Sequence, residues 1–156
     1  MDIQKNQKYI ITAESIDQQG RGVGRINGMV AFVNGLLPGE TAEVLVIKVA
    51  SNYAVGKLIT ILEKAETRAV PQCRYFGSCG GCSMQHLDYN EQLKYKTAQV
   101  KEALKRIGGI ADARVMECIG MDKPYRYRNK AQFPVTPAGI GLYAVGTHRL
   151  VNVDDC

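Results

Sequence analysis

Three cysteines lie close together in Cys73-Arg74-Tyr75-Phe76-Gly77-Ser78-Cys79-Gly80-Gly81-Cys82, a Cys-x5-Cys-x2-Cys run. Thiolates converge on one metal ion or cluster only where the backbone turns tightly, and Gly77, Gly80 and Gly81 allow such turns, positive φ included. The chain holds five cysteines, an odd number, and its first residues, MDIQKNQKYI, lack the apolar core of a signal peptide. A disulfide framework is therefore disfavoured, and the loop reads as metal-ligating. Three ligands leave one position open. His86 would complete a Cys3His zinc site. Cys156 would supply the distant fourth cysteine often found in iron–sulfur ligation. Cys118, inside Val115-Met116-Glu117-Cys118-Ile119, fits a small buried hydrophobe. Spacing alone favours zinc, because structural zinc sites are common.

The elements around this loop divide the chain in two. A length of 156 residues with 46% hydrophobic content suits one ordinary domain or two small ones. Before the loop, Tyr9–Ile16 is rich in β-formers and ends in the turn cluster Asp17-Gln18-Gln19-Gly20. Met29–Val33, bounded by Asn27-Gly28 and Asn34-Gly35, reads as a strand buried on both faces, with Phe32 in the core. Leu37-Pro38-Gly39-Glu40 fits a type II turn. Thr41–Val49 and Tyr53–Leu62 read as a hairpin with Tyr53 on its turn, and the set as a small OB-like barrel. Glu66–Gln72 is a linker. After the loop, Asp88 with Glu91 marks a helix start and Gly108-Gly109 its stop; Leu93, Val100, Leu104 and Ile107 form a stripe expected to be core. Ile140–Val145 and Arg149–Val153 read as strands of a small sheet. The fold class expected is mainly β with one long helix, α+β, divided into domains 1–66 and 67–156.

Charge suggests the partner. The net charge is +5 with a pI near 9.0, which favours a polyanion. Counted along the sequence, residues 1–68 hold eight Lys/Arg against seven Asp/Glu, residues 69–130 eleven against six, and residues 131–156 one against two. The excess coincides with Lys123-Pro124-Tyr125-Arg126-Tyr127-Arg128-Asn129-Lys130-Ala131-Gln132-Phe133. On a strand, Tyr125 and Tyr127 would share one face and Arg126, Arg128 and Lys130 the other. The cations suit phosphates, and Asn129 and Gln132 suit base edges. The alternative is an exposed strand charged against edge pairing. Gly20-Arg21-Gly22-Val23-Gly24-Arg25 leads into a strand, which excludes a dinucleotide loop; it reads as a flexible hairpin projecting Arg21 and Arg25 toward a nucleic-acid backbone. With few aromatics free to stack, contact through phosphates and shape is expected. No run of eighteen apolar residues exists, so a membrane span is not expected and the cytoplasm is the default compartment.

These residues carry a resemblance. Cys73–His86, followed by Asp88-Tyr89 and a helix with Gln92-Leu93 and Lys96, resembles the iron–sulfur segment of the S-adenosylmethionine-dependent RNA uracil-C5 methyltransferases. The Gly20–Arg25 run, Ala31-Phe32-Val33 and Leu37-Pro38-Gly39-Glu40 resemble a TRAM domain, an RNA-binding barrel. Tyr127-Arg128-Asn129-Lys130, Gly141-Leu142-Tyr143 and His148 match the family's central domain. The resemblance implies a [4Fe–4S] cluster on Cys73, Cys79, Cys82 and Cys156, ribosomal RNA of the 23S class as partner, and a monomer with no protein partner. It also implies methyl transfer from S-adenosylmethionine to C5 of uracil in a Rossmann-like domain beyond Cys156, so that this portion alone is expected to be inactive. The competing readings are a free-standing nucleic-acid-binding module with zinc or an iron–sulfur centre, and an iron–sulfur electron carrier or radical enzyme.

Overall fold

The computed structural model describes residues 2–156 and divides them into two compact units, one ending at Arg68 and the other running Ala69–Cys156. The first holds five strands: β1 (Lys8–Ile16), β2 (Arg21–Ile26), β3 (Met29–Asn34), β4 (Thr41–Val49) and β5 (Tyr53–Glu63). They close into a barrel in the order β1-β2-β3-β5-β4, with β4 returning to pair with β1. All pairs are antiparallel except β3 with β5.

Strict alternation builds the core: Ile11, Ala13, Ala31, Val33, Ala42, Val44 and Val46 point inward and are buried, with Leu36 from the loop after β3. Burying such side chains is the main driving force for closure. Two expectations change here. The segment 20–25 is no flexible hairpin, because Arg21–Ile26 is a strand paired on both sides, leaving only Asp17–Gly20 as the turn. Its glycines alternate for a packing reason. A Cβ on Gly22 would lie 2.5 Å from the Leu36 carbonyl oxygen, and one on Gly24 would collide with the Thr12 carbonyl. Met29–Val33, in turn, is buried on one face only; Phe32 and Val30 lie on the other, half-buried. The strands of the barrel alternate between buried and outer positions.

The Leu37–Glu40 turn forms as its residues require: the Glu40 amide donates to the Leu37 carbonyl at 3.1 Å, and Gly39 takes φ +83°. Glu40 itself is fully buried. Its carboxylate accepts from the Leu37 amide (2.9 Å), from Arg68 Nη2 (2.7 Å) and from Arg68 Nε (2.5 Å). Arg68 Nη2 also donates to the Gly35 carbonyl at 2.6 Å. Burial alone would raise the Glu40 pKa, but the bonds from Arg68 and the Leu37 and Ala65 amides outweigh it and hold the carboxyl below its usual range. The linker residue Arg68 is thus a fastening for the loop beside the turn.

The second unit has helix α1 (Tyr89–Arg106) and a three-stranded antiparallel sheet of β6 (Val135–Thr136), β7 (Gly139–Tyr143) and β8 (Leu150–Asn152). Asp88 caps the helix, accepting from the Asn90 (2.9 Å) and Glu91 (3.3 Å) amides. The stripe expected to be core is not: no residue of α1 is buried, Val100 is 50% exposed, and Ile107, just past its end, is 83% exposed. The segment after the helix covers it only in part, through the Cys118 amide on Thr97 Oγ1 (2.9 Å) and the Met121 amide on the Tyr89 hydroxyl (2.9 Å). Residues 123–133, expected as a strand, are irregular; Arg126 sits at φ +56°, which breaks the extended alternation. Among the described residues no helix is long and apolar enough to cross a membrane.

Candidate nucleic-acid interface and thiol loop

The thiol loop is held by its own backbone and by the helix. The Phe76 amide donates to the Cys73 carbonyl (3.1 Å) and the Cys79 amide to the Tyr75 carbonyl (2.8 Å). Gln92 of α1 reaches back to the Met84 and Leu87 carbonyls at 3.1 and 2.8 Å. His86 is buried, its ring 5.2 Å from that of Phe76. Gly80 donates to the Tyr143 carbonyl at 2.8 Å, tying the loop to the small sheet, and a Cβ there would lie 2.8 Å from the same oxygen. At Gly81 a Cβ would press on Leu142 Cδ1 at 2.9 Å, while its amide donates to Cys79 Sγ at 3.3 Å. The two glycines are therefore needed for close approach.

Cys79 is buried, Cys73 half-buried, and Cys82 and Cys156 exposed. The segment carrying Cys156 is drawn to the loop. Asp154 Oδ2 accepts from Arg74 Nη2 (2.9 Å) and from the Tyr75 hydroxyl (3.0 Å), and the Asp154 amide donates to that hydroxyl (3.2 Å). Among the described residues no three His, Cys, Asp or Glu side chains converge closely enough to hold a metal ion. The donor set nevertheless fits a thiophilic centre, with three thiols on one short loop and a fourth on a segment bonded to that loop. Cys118, half-buried beside Thr97, stands on the helix side.

The basic residues fall into two places. Arg126, Arg128, Asn129, Lys130 and Gln132 are all exposed on the irregular segment, and Arg126 Nη2 lies 4.0 Å from Asp155 Oδ2. His148, exposed, sits edge-on to Tyr143 at 5.4 Å. Arg21 and Arg25 occupy the outer side of β2. Arg25 Nη1 donates to the Gly28 carbonyl at 2.9 Å, and Arg21 pairs with Asp17 at 2.6 Å and lies over Phe32, 4.4 Å from the ring centroid. Phe32 and Tyr53, expected in the core and on a turn, are neighbours on the outer barrel surface, with Lys48 on Tyr53. Register would have revealed them: with Gly22 and Gly24 inward, every residue paired across from Val23 or Arg25 must face outward.

A closed five-stranded barrel of this strand order with cations on its outer side is the architecture of an OB-type nucleic-acid-binding module. Residues 4–59 match the TRAM domain, and along nearly its whole length the chain is similar to proteins named RNA methyltransferase. It is 43% identical over 158 residues to an uncharacterized RNA methyltransferase of Clostridium tetani, covering 99% of this chain and 34% of the relative. One from Caldanaerobacter subterraneus subsp. tengcongensis is 46% identical over 154 residues, covering 96% and 34%. Another, from Clostridium acetobutylicum, is 42% identical over 160 residues, covering 99% and 35%. The chain spans about a third of the length of these relatives.

Proposed function

We propose that this chain is the RNA-recognising N-terminal portion of an S-adenosylmethionine-dependent uracil-C5 methyltransferase acting on 23S ribosomal RNA in the cytoplasm, with a [4Fe–4S] cluster on Cys73, Cys79, Cys82 and Cys156. Homology to proteins named RNA methyltransferase and the TRAM match support the RNA part. The observation that carries the cluster is the bonding of Arg74 and Tyr75, beside Cys73, to Asp154, two residues before Cys156. Thiolates from two distant segments around one centre would fasten the end of the small sheet to the loop, and the binding free energy becomes folding free energy. The exposed cations at 126, 128 and 130 would take backbone phosphates, and Asn129 and Gln132 base edges.

The test is metal analysis of anaerobically purified protein. About four iron and four sulfide per chain, lost in Cys156→Ser, is the expected result. One zinc and no sulfide would replace the cluster by a structural zinc site and leave a nucleic-acid-binding module of another kind. For the RNA part, a longer reading frame that carries this chain should methylate uridine in a ribosomal RNA transcript, and methylation at another base or none would refute the assignment.

A further inference from the structure

The RNA-binding reading places cations against phosphates but says nothing of how the barrel engages bases. The outer surface of β2, β3 and β5 does. Cα register sets Val23, Phe32 and Val55 in one row across the three strands, and Arg25, Val30 and Tyr53 in the next. All six side chains face outward, because their strand neighbours Gly22, Gly24, Ala31, Ala54 and Gly56 face the core. Phe32 and Tyr53 thus sit diagonally on one face, ring centroids 5.8 Å apart at 71°, each half-buried, with Arg21 Cζ 4.4 Å from the Phe32 centroid. Water does not favour two rings on an outer surface without a use for them.

What surrounds the rings narrows that use. Lys48 Nζ donates to the Tyr53 hydroxyl at 3.0 Å and lies 5.3 Å from its ring centroid. Arg25 and Lys57 are exposed at the margins, and among the described residues neither they nor Lys48 form an ion pair with a carboxylate. Arg21 differs: Asp17 Oδ2 accepts from its Nε at 2.7 Å, so its charge is matched and its guanidinium plane is held at Phe32. Arg21 thus brings to the face a flat guanidinium whose charge is already matched. Two rings and a guanidinium plane, ringed by three unmatched cations, are the components that hold unpaired bases while neutralising the strand's phosphates. A duplex keeps its base faces stacked inside and could use only the cations.

We propose that this face is a stacking platform for single-stranded RNA, with bases on Phe32 and Tyr53 and phosphates on Arg25, Lys48 and Lys57. The proposal rests on the RNA-binding reading above and assigns the barrel a ligand form, unpaired bases, that the reading leaves open.

The whole chain would be titrated, by fluorescence anisotropy, with a labelled single-stranded 12-mer RNA, the same strand made abasic at its centre, and a duplex of equal length. The unmodified strand should bind at least about tenfold more tightly than the abasic one, in keeping with the worth of a stacked base. Tyr53→Leu and Phe32→Leu, which remove the rings but keep apolar bulk, should each weaken binding by about tenfold with the salt slope unchanged. Lys57→Ala should instead lower the slope by roughly 0.7. In NMR spectra, the Phe32 and Tyr53 ring protons should shift upfield with the unmodified strand and not with the abasic one, a measurement on the unaltered chain that stands even if a ring variant misfolds. Equal affinity for the two strands, or unshifted ring protons, overturns the platform. If Arg126→Ala, Arg128→Ala and Lys130→Ala together then still weaken binding, the RNA-binding reading survives that result. Failure of the unaltered chain to bind any of the three RNAs overturns both.

Discussion

Replacing Arg68 by alanine removes the three donors it supplies, two to the Glu40 carboxylate and one to the Gly35 carbonyl, and leaves a carboxylate with no solvent exposure. Only the Leu37 and Ala65 amides would remain to it. Breaking a buried pair by deleting one partner costs about 3–5 kcal/mol; the Arg68 side chain is 19% exposed, which places the expectation at the low end, near 3 kcal/mol. Amide exchange reads this within the barrel, and Ala42, Val44 and Val46 should lose protection by roughly 150-fold, since about 1.4 kcal/mol is tenfold. The double variant Glu40→Gln, Arg68→Ala removes both charges and should recover part of the loss. The pH dependence gives an independent sign. The Glu40 pKa is lowered in the folded chain, so its stabilisation is full above the unfolded carboxylate pKa of about 4.3 and is lost as pH falls through the lower folded value. Without Arg68, burial is opposed only by the two amides, the folded pKa rises, and the variant's deficit should shrink on acidification. Unchanged protection in Arg68→Ala, or a deficit that grows toward low pH, would refute the account.

Three further outcomes follow from the packing and the charge. Gly22→Ala drives a Cβ against the Leu36 carbonyl and should cost about 1–3 kcal/mol, read from the urea midpoint; an unmoved midpoint would mean that β2 is not seated as described. Asp88→Ala removes the acceptor for the Asn90 and Glu91 amides and should cost the helix about 1 kcal/mol, seen as faster exchange of those two amides with the Ala42 amide unaffected. Alanine at Arg126, Arg128 and Lys130 together should lower RNA affinity and reduce the salt slope by about 2 for a single strand, whereas an equal slope would remove those cations from the interface.

The barrel was legible because its signals are local: β-forming runs bounded by turn clusters, and a Pro-Gly turn whose glycine does take positive φ. Its outer face was not. Phe32 looks like core in a run of apolar residues, and only pairing with Val23 on one side and Val55 on the other shows which way it points. Glycine alternation was read as flexibility when its cause was a non-local neighbour, the Leu36 and Thr12 carbonyls. Arg68 looked like linker because the partner that recruits it lies 28 residues earlier. The helix was bounded correctly by its caps, but periodicity says only which face is apolar, not what covers it, and Val100 is half exposed. In the thiol loop, residue types and spacing were readable; the Asp154 tether, made by an arginine and a tyrosine far away in sequence, was not.

The return of β4 onto β1 has a consequence for how this unit meets other molecules. Each strand pairs with two neighbours, so open ladder edges are confined to short stretches, such as the second half of β5, where Lys57–Glu63 join β4 alone; a foreign β-segment could add only there, which limits fibrillar self-association and peptide capture by strand addition. Over the rest of the barrel, recognition falls to side chains.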